Sequence, residues 1–111
     1  MGTVWSVYGK LVPKWRSKYL LFRQKLLLDL YKYSNVAALC IAYEIPDAYV
    51  GDVEFSTGFG GSYGAGEKIV KIFKEHACKY MDDGTEIHVK SWEDAGGELT
   101  YVKGESNNDQ N

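Results

Sequence analysis

The segment VWSVYGKLVPKWRSKYLLFRQKLLLDLYKY, residues 4–33, determines the fold class, because a strand pattern passes directly into a helix pattern. Trp5, Val7 and Leu11 share one parity in a run rich in β-branched and aromatic residues, which predicts a β-strand over residues 4–12. Pro13 ends this strand, and proline is tolerated in the first turn of a helix. The two patterns together predict an α+β protein.

The predicted first helix runs to about Tyr33 and carries more apolar surface than one contact with a core requires. One face collects the predicted core stripe: Trp15, Tyr19, Phe22, Leu26, Leu30 and Tyr33. A second apolar patch consists of Leu20, Leu21, Leu27, Leu28 and Tyr31. The second patch must meet another element or another chain, and a homodimer formed through the first helix would cover it.

The rest of the chain predicts four strands and one more helix. Strands are expected at 36–45 (VAALCIAYEI), 48–57, 85–92 and 99–103, with a glycine-rich loop at 58–66 and a helix from about Glu67 to Met81. The order βαββαββ predicts an antiparallel sheet with two helices on one face, a ferredoxin-like (split βαβ) plan with an added C-terminal hairpin strand. Residues 1–103 are expected to form a single domain, followed by a disordered polar tail at 104–111.

Composition narrows the class of protein. The chain has 111 residues, of which 45% are apolar, and that proportion is typical of a folded domain. Cys40 and Cys78 are too few for a disulfide-rich secreted scaffold, which favours two buried, reduced thiols. There is no signal-peptide pattern and no membrane-spanning apolar run, so we expect a cytoplasmic protein, of a cell or of a phage-infected host, that does not act at a membrane.

Charge is unevenly distributed along the chain. Residues 1–35 contain seven bases and a single acid, Asp29, whereas residues 36–111 contain six bases and fourteen acids. Such asymmetry indicates what a protein binds rather than how it folds. The acidic candidates for a partner-binding surface are Asp52, Glu54, Asp82, Asp83, Glu93 and Asp94.

The leading hypothesis is a non-enzymatic protein-binding module that acts through this acidic surface. Carboxylates spread over a small stable domain can occupy a basic groove that normally holds nucleic acid, and electrostatic steering speeds such association. Small inhibitors from phages and mobile elements, anti-CRISPR proteins among them, share this size and acidity. The expected partner is therefore another protein, such as a nucleic-acid-handling enzyme of the host.

The first alternative is a nucleic-acid-binding protein. One line of the first helix carries Lys14, Lys18, Lys25 and Lys32, which could contact phosphates in a salt-dependent way. Tyr8 and Trp92 lie on the outward parity of their strands and could stack on bases. The acidity of the chain as a whole makes nucleic acid the less favoured partner.

The second alternative is a small ligand-binding domain or enzyme that uses the glycine-rich loop. The candidate contacts are Gly58, Gly60, Gly61, Tyr63, Gly64 and Gly66. A phosphate-binding P-loop requires Lys and then Ser or Thr after its last glycine, but Glu67 and Lys68 follow here, and Tyr63 interrupts a GxGxxG pattern. His76 and His88 have no metal-ligand or nucleophile spacing, so no catalytic residue, metal or cofactor is predicted. His88 lies on the outward parity of its strand and is expected to face solvent.

Overall fold

The structure is a computed structural model that describes residues 2–93 and 98–104. Within these ranges the elements are β1 (Gly2–Leu11), α1 (Arg16–Tyr33), α2 (Asn35–Glu44), β2 (Val53–Ser62), α3 (Ala65–Tyr80), β3 (Glu86–Ser91) and β4 (Glu98–Val102). The predicted polar tail lies outside the described residues beyond Gly104. No helix in the described ranges is both long enough and apolar enough to cross a membrane.

The four strands form one sheet in the order β2-β1-β3-β4, and every neighbouring pair is antiparallel. The α+β class, the antiparallel sheet and the hairpin formed by β3 and β4 were predicted from the sequence. The predicted order βαββαββ is wrong, because the described residues follow the order βααβαββ with three helices and four strands. The ferredoxin-like plan therefore holds only in outline.

The predicted strand at residues 36–45 is a helix, α2. Ala37, Ala38, Ile41 and Ile45 are buried at helical spacing, whereas Leu39 is exposed. A short run that is apolar on both parities cannot be assigned to strand or helix by periodicity alone. Alanine and the Ser34 N-cap favour the helix locally, and hydrogen bonds from Arg23 of α1 stabilise its C-terminal end.

Two contacts hold α2 against α1. Ser34 ends α1 with an extended backbone, and its Oγ accepts a hydrogen bond from Ala37 N at 3.2 Å, which caps α2. At the other end of α2, Arg23 donates through Nε to Ile45 O at 3.2 Å and through Nη2 to Ala42 O at 3.3 Å. These donors satisfy carbonyl groups that a helix C-terminus leaves unpaired, so the two helices form a closed hairpin.

The predicted core stripe of α1 is correct at its centre and wrong at its start. Tyr19, Phe22, Leu26 and Leu30 are buried, but Trp15 is 54% exposed because the helix begins at Arg16. The second apolar patch divides. Its buried or half-buried members are Leu20 and Leu27, and its exposed members are Leu21, Leu28 and Tyr31.

The glycine-rich segment is not a loop. Residues 58–62 belong to β2, which pairs with β1 along its whole length, and α3 begins at Ala65. The strand predicted at 48–57 is therefore displaced to 53–62. Glycine and serine have low strand propensity, but pairing with the ten-residue β1 overrides that preference.

Trp5 and Gly66 fix the packing of α3 on the sheet. The Trp5 ring lies over the first turn of α3, and its Nε1 donates to Ser62 O at 2.8 Å. A Cβ atom on Gly66 would lie 2.6 Å from Trp5 Cζ3, closer than real Cβ contacts allow. Gly66 is therefore required for close packing of the helix on the indole ring.

Candidate functional site

The candidate site is the face of the sheet that points away from the core, which we call the open sheet face. Across β2, β1, β3 and β4 it presents three rows: Glu54, Lys10, Glu86 and Val102; Ser56, Tyr8, His88 and Thr100; and Gly58, Ser6, Lys90 and Glu98. The residues of opposite parity, such as Val7 and Val89, are buried in the core shared with the helices. Alternation along each strand therefore produces one buried face and one exposed face.

A stacked aromatic pair lies at the centre of the open sheet face. The rings of Tyr8 and His88 are 4.9 Å apart between centroids and inclined by 17°. His88 Nε2 lies 2.6 Å from Glu86 Oε1, and His88 Nδ1 lies 3.1 Å from Thr100 Oγ1. Tyr8 donates its hydroxyl hydrogen to Glu98. Each ring is thus held by a carboxylate: Glu86 of β3 contacts His88, and Glu98 of β4 contacts Tyr8.

The hydrogen bond to Glu98 is the main cause of a raised Tyr8 pKa, followed by desolvation and by the negative charges of Glu98 and Glu86. The phenol therefore stays a hydrogen-bond donor in its protonated form at neutral pH. A depression of about 560 Å³ beside Tyr8 and His88 is bounded by three acids, Glu44, Glu54 and Glu86, and by one base, Lys10. The arrangement can accept hydrogen bonds from cationic groups at its rim while offering an aromatic surface at its centre.

Trp92 adds a second aromatic side chain beside this face. It follows β3 directly, its backbone N donates to Val4 O at 3.0 Å, and its Nε1 donates to Ser6 Oγ. The side chain is nevertheless 72% exposed. The outward orientation of Tyr8, His88 and Trp92 was expected from strand parity, whereas Glu86 and Glu98 were not among the predicted site residues. Glu86 is two residues before His88 on the same strand, so parity alone places it beside that ring, whereas only the pairing register, which needs the topology, brings Glu98 to Tyr8.

The structure places the predicted acidic residues at three locations. Asp52, Asp82 and Asp83 lie beyond the end of the sheet where β1 finishes, since Asp52 precedes Val53, the partner of Leu11, and Asp82 N donates to Val12 O. Glu54 is on the open sheet face. Glu93 follows Trp92 at the opposite end, about 25 Å away along β1, and Asp94 lies outside the described residues. All the described members are exposed.

The lysines of the predicted nucleic-acid surface lie on the helical layer. Lys18, Lys25 and Lys32 follow one line of α1, with Lys14 just before the helix, and Lys18 Nζ lies 5.8 Å from the ring centroids of Trp15 and Tyr80. Helix α3 belongs to the acidic part of the sequence, yet it carries four lysines and two glutamates: Lys68, Lys71, Lys74, Lys79, Glu67 and Glu75. Helices α1 and α3 are therefore basic, whereas the segments that follow α2 and α3 are acidic.

The residues of the predicted glycine-rich loop do not form one exposed surface. Gly58 and Gly60 lie on the exposed side of β2, whereas Gly61 faces Ala65 and Trp5. Tyr63 and Gly64 are exposed in the turn before α3. Gly66 is buried under the Trp5 ring, and so it has no free surface for a ligand.

The two histidines are engaged separately. His76 Nε2 on α3 lies 2.7 Å from Asp29 Oδ2 on α1, and His76 Nδ1 is buried without a hydrogen-bond partner in the described part of the chain. Cys78 is exposed, contrary to the predicted buried thiol, and its Sγ lies 3.3 Å from Tyr101 Oη. In residues 2–93 and 98–104, no three His, Cys, Asp or Glu side chains come together where they could hold a metal ion.

No protein-family model, no curated protein and no solved structure matches this chain.

Proposed function

We propose that the protein is a non-enzymatic binding module that recognises another protein through the open sheet face. The observation that carries the proposal is the juxtaposition of an exposed aromatic group, Tyr8 with His88 and Trp92, with carboxylates on neighbouring strands. Interface hot spots are enriched in tryptophan and tyrosine and are surrounded by polar groups. This surface has both components on rigid strands, so little side-chain entropy is lost on binding.

The charge of the face indicates the class of partner. Glu54 and Glu86 lie in one row, two strand spacings or about 10 Å apart, and Glu98 lies two rows away on β4. The cations on this face, Lys10 and Lys90, are fewer than the acids. A complementary partner presents Arg and Lys, whose guanidinium and ammonium groups would pair with the carboxylates and stack on the rings.

A basic surface of this kind belongs to enzymes that handle nucleic acids. In this proposal the chain occupies the groove that holds phosphates and acts as an inhibitor, as small phage and mobile-element proteins do. The acids at the two ends of the sheet, Asp82 and Glu93 among them, would extend the contact beyond the open sheet face. Association would be fast at low ionic strength and slower as salt screens the charges.

The test is capture from a cell lysate by the immobilised chain, with quantitative mass spectrometry. The sheet variant carries Glu54→Lys and Glu98→Lys, and the matched control carries Glu67→Lys and Glu75→Lys on α3, with the same change in net charge. We expect the sheet variant to lose at least 90% of a basic partner that the wild type and the control retain. Equal retention by both variants would contradict the proposal.

A second candidate function is nucleic-acid binding by the helical layer. Its specific support is that Lys68 of α3 borders the same groove as Lys32 of the predicted lysine line of α1, so basic side chains of two helices meet there, beside Asp29 and Glu75. Fluorescence anisotropy with generic DNA and RNA at low salt tests it. Binding that Lys25→Glu with Lys32→Glu abolishes would support this function, and the absence of binding by the wild type would reject it.

A further inference from the structure

We propose that a second copy of this chain binds along the outer edge of β2 and the adjoining flank of α2, forming a two-fold symmetric dimer. This surface is separate from the open sheet face, so the inference goes beyond the proposed function. It starts from the position of β2, which has β1 as its one strand neighbour within the described residues. The other side of this ten-residue strand presents backbone N–H and C=O groups that can pair with another strand.

The sequence of β2 contains few of the features that protect an edge strand from pairing. Natural edge strands are short, carry lysine, proline or a bulge, or are covered by a helix or loop. The opposite edge strand, β4, has five residues, and Glu98 at its start is charged. By contrast β2 has ten residues, and its sequence VEFSTGFGGS contains a single charge, Glu54, and no proline. Its side chains are small over residues 56–58 and 60–62, so a neighbouring backbone can approach closely.

Helix α2 runs along this edge in the opposite direction to β2. Near its start, Ala37 borders a groove of about 250 Å³ together with Phe59 and Gly60. At its end, Glu44 borders the depression that also contains Glu54. If a strand of another protein pairs with β2, the rest of that protein therefore lies next to α2.

The exposed side of α2 is apolar. Val36 is 52% exposed, Leu39 57% and Tyr43 89%. Three large apolar side chains on one ten-residue helix are more than scattered surface residues explain. Helix α2 lies beside a strand edge that has no strand partner in residues 2–93 and 98–104, so a partner that pairs with β2 would also contact α2.

The edge can pair with itself without a charge clash, which favours a second copy as the occupant. A two-fold axis at Gly58 places Glu54 opposite Ser62 and Ser56 opposite Gly60, so no like charges meet. The two α2 helices then run antiparallel next to each other, with Tyr43 and Leu39 at their contact. An edge about 30 Å long and about 20 Å deep through strand and helix buries roughly 1,200 Å² in total, which reaches the lower limit of a specific interface.

Sedimentation equilibrium of the full chain tests the dimer over concentrations from about 1 to about 200 μM. Gly58→Lys places two lysines opposite each other at the axis, and an added Cβ there meets only Trp5 O, at 3.4 Å. Tyr43→Glu acts independently through α2. We expect the wild type to dimerise and each variant to raise the dissociation constant at least tenfold.

The matched control is Leu28→Glu, which places the same charge on an exposed apolar position of α1 and should leave the dissociation constant unchanged. Circular dichroism and thermal unfolding verify that each variant is folded. A wild type that remains monomeric throughout the concentration range overturns the proposal. That result is the one expected if the edge of β2 binds an extended segment of another protein instead of a second copy. Loss of the dimer in Leu28→Glu but not in Tyr43→Glu or Gly58→Lys also overturns it.

Discussion

Replacing Gly66 with alanine should destabilise the protein, although alanine normally stabilises a helix. The added Cβ would lie 2.6 Å from Trp5 Cζ3, 2.8 Å from Trp5 Cη2 and 3.2 Å from Leu99 Cδ1. The indole cannot retreat freely, because it is 7% exposed and donates a hydrogen bond to Ser62 O. Overpacking of this kind costs about 1–3 kcal/mol, whereas the gain in helix propensity is at most about 1 kcal/mol.

The expected net loss is about 1–2 kcal/mol of unfolding free energy, equivalent to a fall in Tm of roughly 5–10 °C. Urea and thermal unfolding followed by circular dichroism measure both quantities. The matched control is Gly64→Ala, two residues earlier, where an added Cβ meets nothing within 4 Å. Gly64 is the N-cap of α3, where alanine is less favourable than glycine, so this control should lose at most about 1 kcal/mol.

A double-mutant cycle locates the cause. Trp5→Phe removes the ring atoms that the new methyl group meets, so Gly66→Ala should cost less than half as much in that background. Trp5→Phe and the double variant both lack the hydrogen bond to Ser62 O, so its loss does not affect the difference in unfolding free energy between them. The reasoning is refuted if Gly66→Ala is as harmless as Gly64→Ala, or if its cost is unchanged beside Phe at position 5.

Two further predictions concern α1 and its junction with α2. Ser34→Ala should lower the unfolding free energy by about 1 kcal/mol, because the hydrogen bond from Ala37 N to Ser34 Oγ is lost. The control is Ser17→Ala, on the exposed side of α1. Equal losses of unfolding free energy in urea for the two variants would be inconsistent with a cap at Ser34. Burial raises the pKa of Tyr19 from 10.0 to about 12, with Arg23 lowering and Asp47 raising it. Because the folded state favours the neutral phenol, Tyr19 stabilises the folded protein. This stabilisation is fully present below pH 10 and is lost as the pH rises through 12. Unfolding free energy measured from pH 9 to 12 should therefore fall by up to about 2–3 kcal/mol more in the wild type than in Tyr19→Phe, and parallel curves would contradict the assignment.

The sequence was sufficient where one face of an element is buried. The repeat of Tyr19, Phe22, Leu26 and Leu30 specifies α1, and alternation around Val7 specifies β1, because burial on a single face leaves a clear period. Residues 36–45 are apolar on all sides, so their sequence shows neither the period of a helix nor that of a strand. The helix depends instead on the Ser34 cap and on the bond from Arg23 to Ile45, and the latter is a tertiary contact that no local pattern contains.

The candidate site was predictable in part for the same physical reason. Strand parity placed Tyr8, His88 and Trp92 on the outward side, but parity does not say which strands are neighbours. Glu86 shares the outward parity of His88 on the same strand, but Glu98 reaches Tyr8 only because β3 lies between β1 and β4. Conversely, proximity in sequence suggested one acidic surface that includes Asp82 and Glu93, whereas the strands carry these residues to opposite ends.

The most direct test of the central claim compares two exposed tryptophans on opposite sides of the protein. Isothermal titration of the captured partner should show that Trp92→Ala, beside the open sheet face, weakens binding at least tenfold, since truncating an interface anchor typically costs about 2 kcal/mol or more. Trp15→Ala, at the start of α1 on the helical side, should change the affinity less than twofold. Undiminished binding by Trp92→Ala, or a larger loss in Trp15→Ala, would contradict the account.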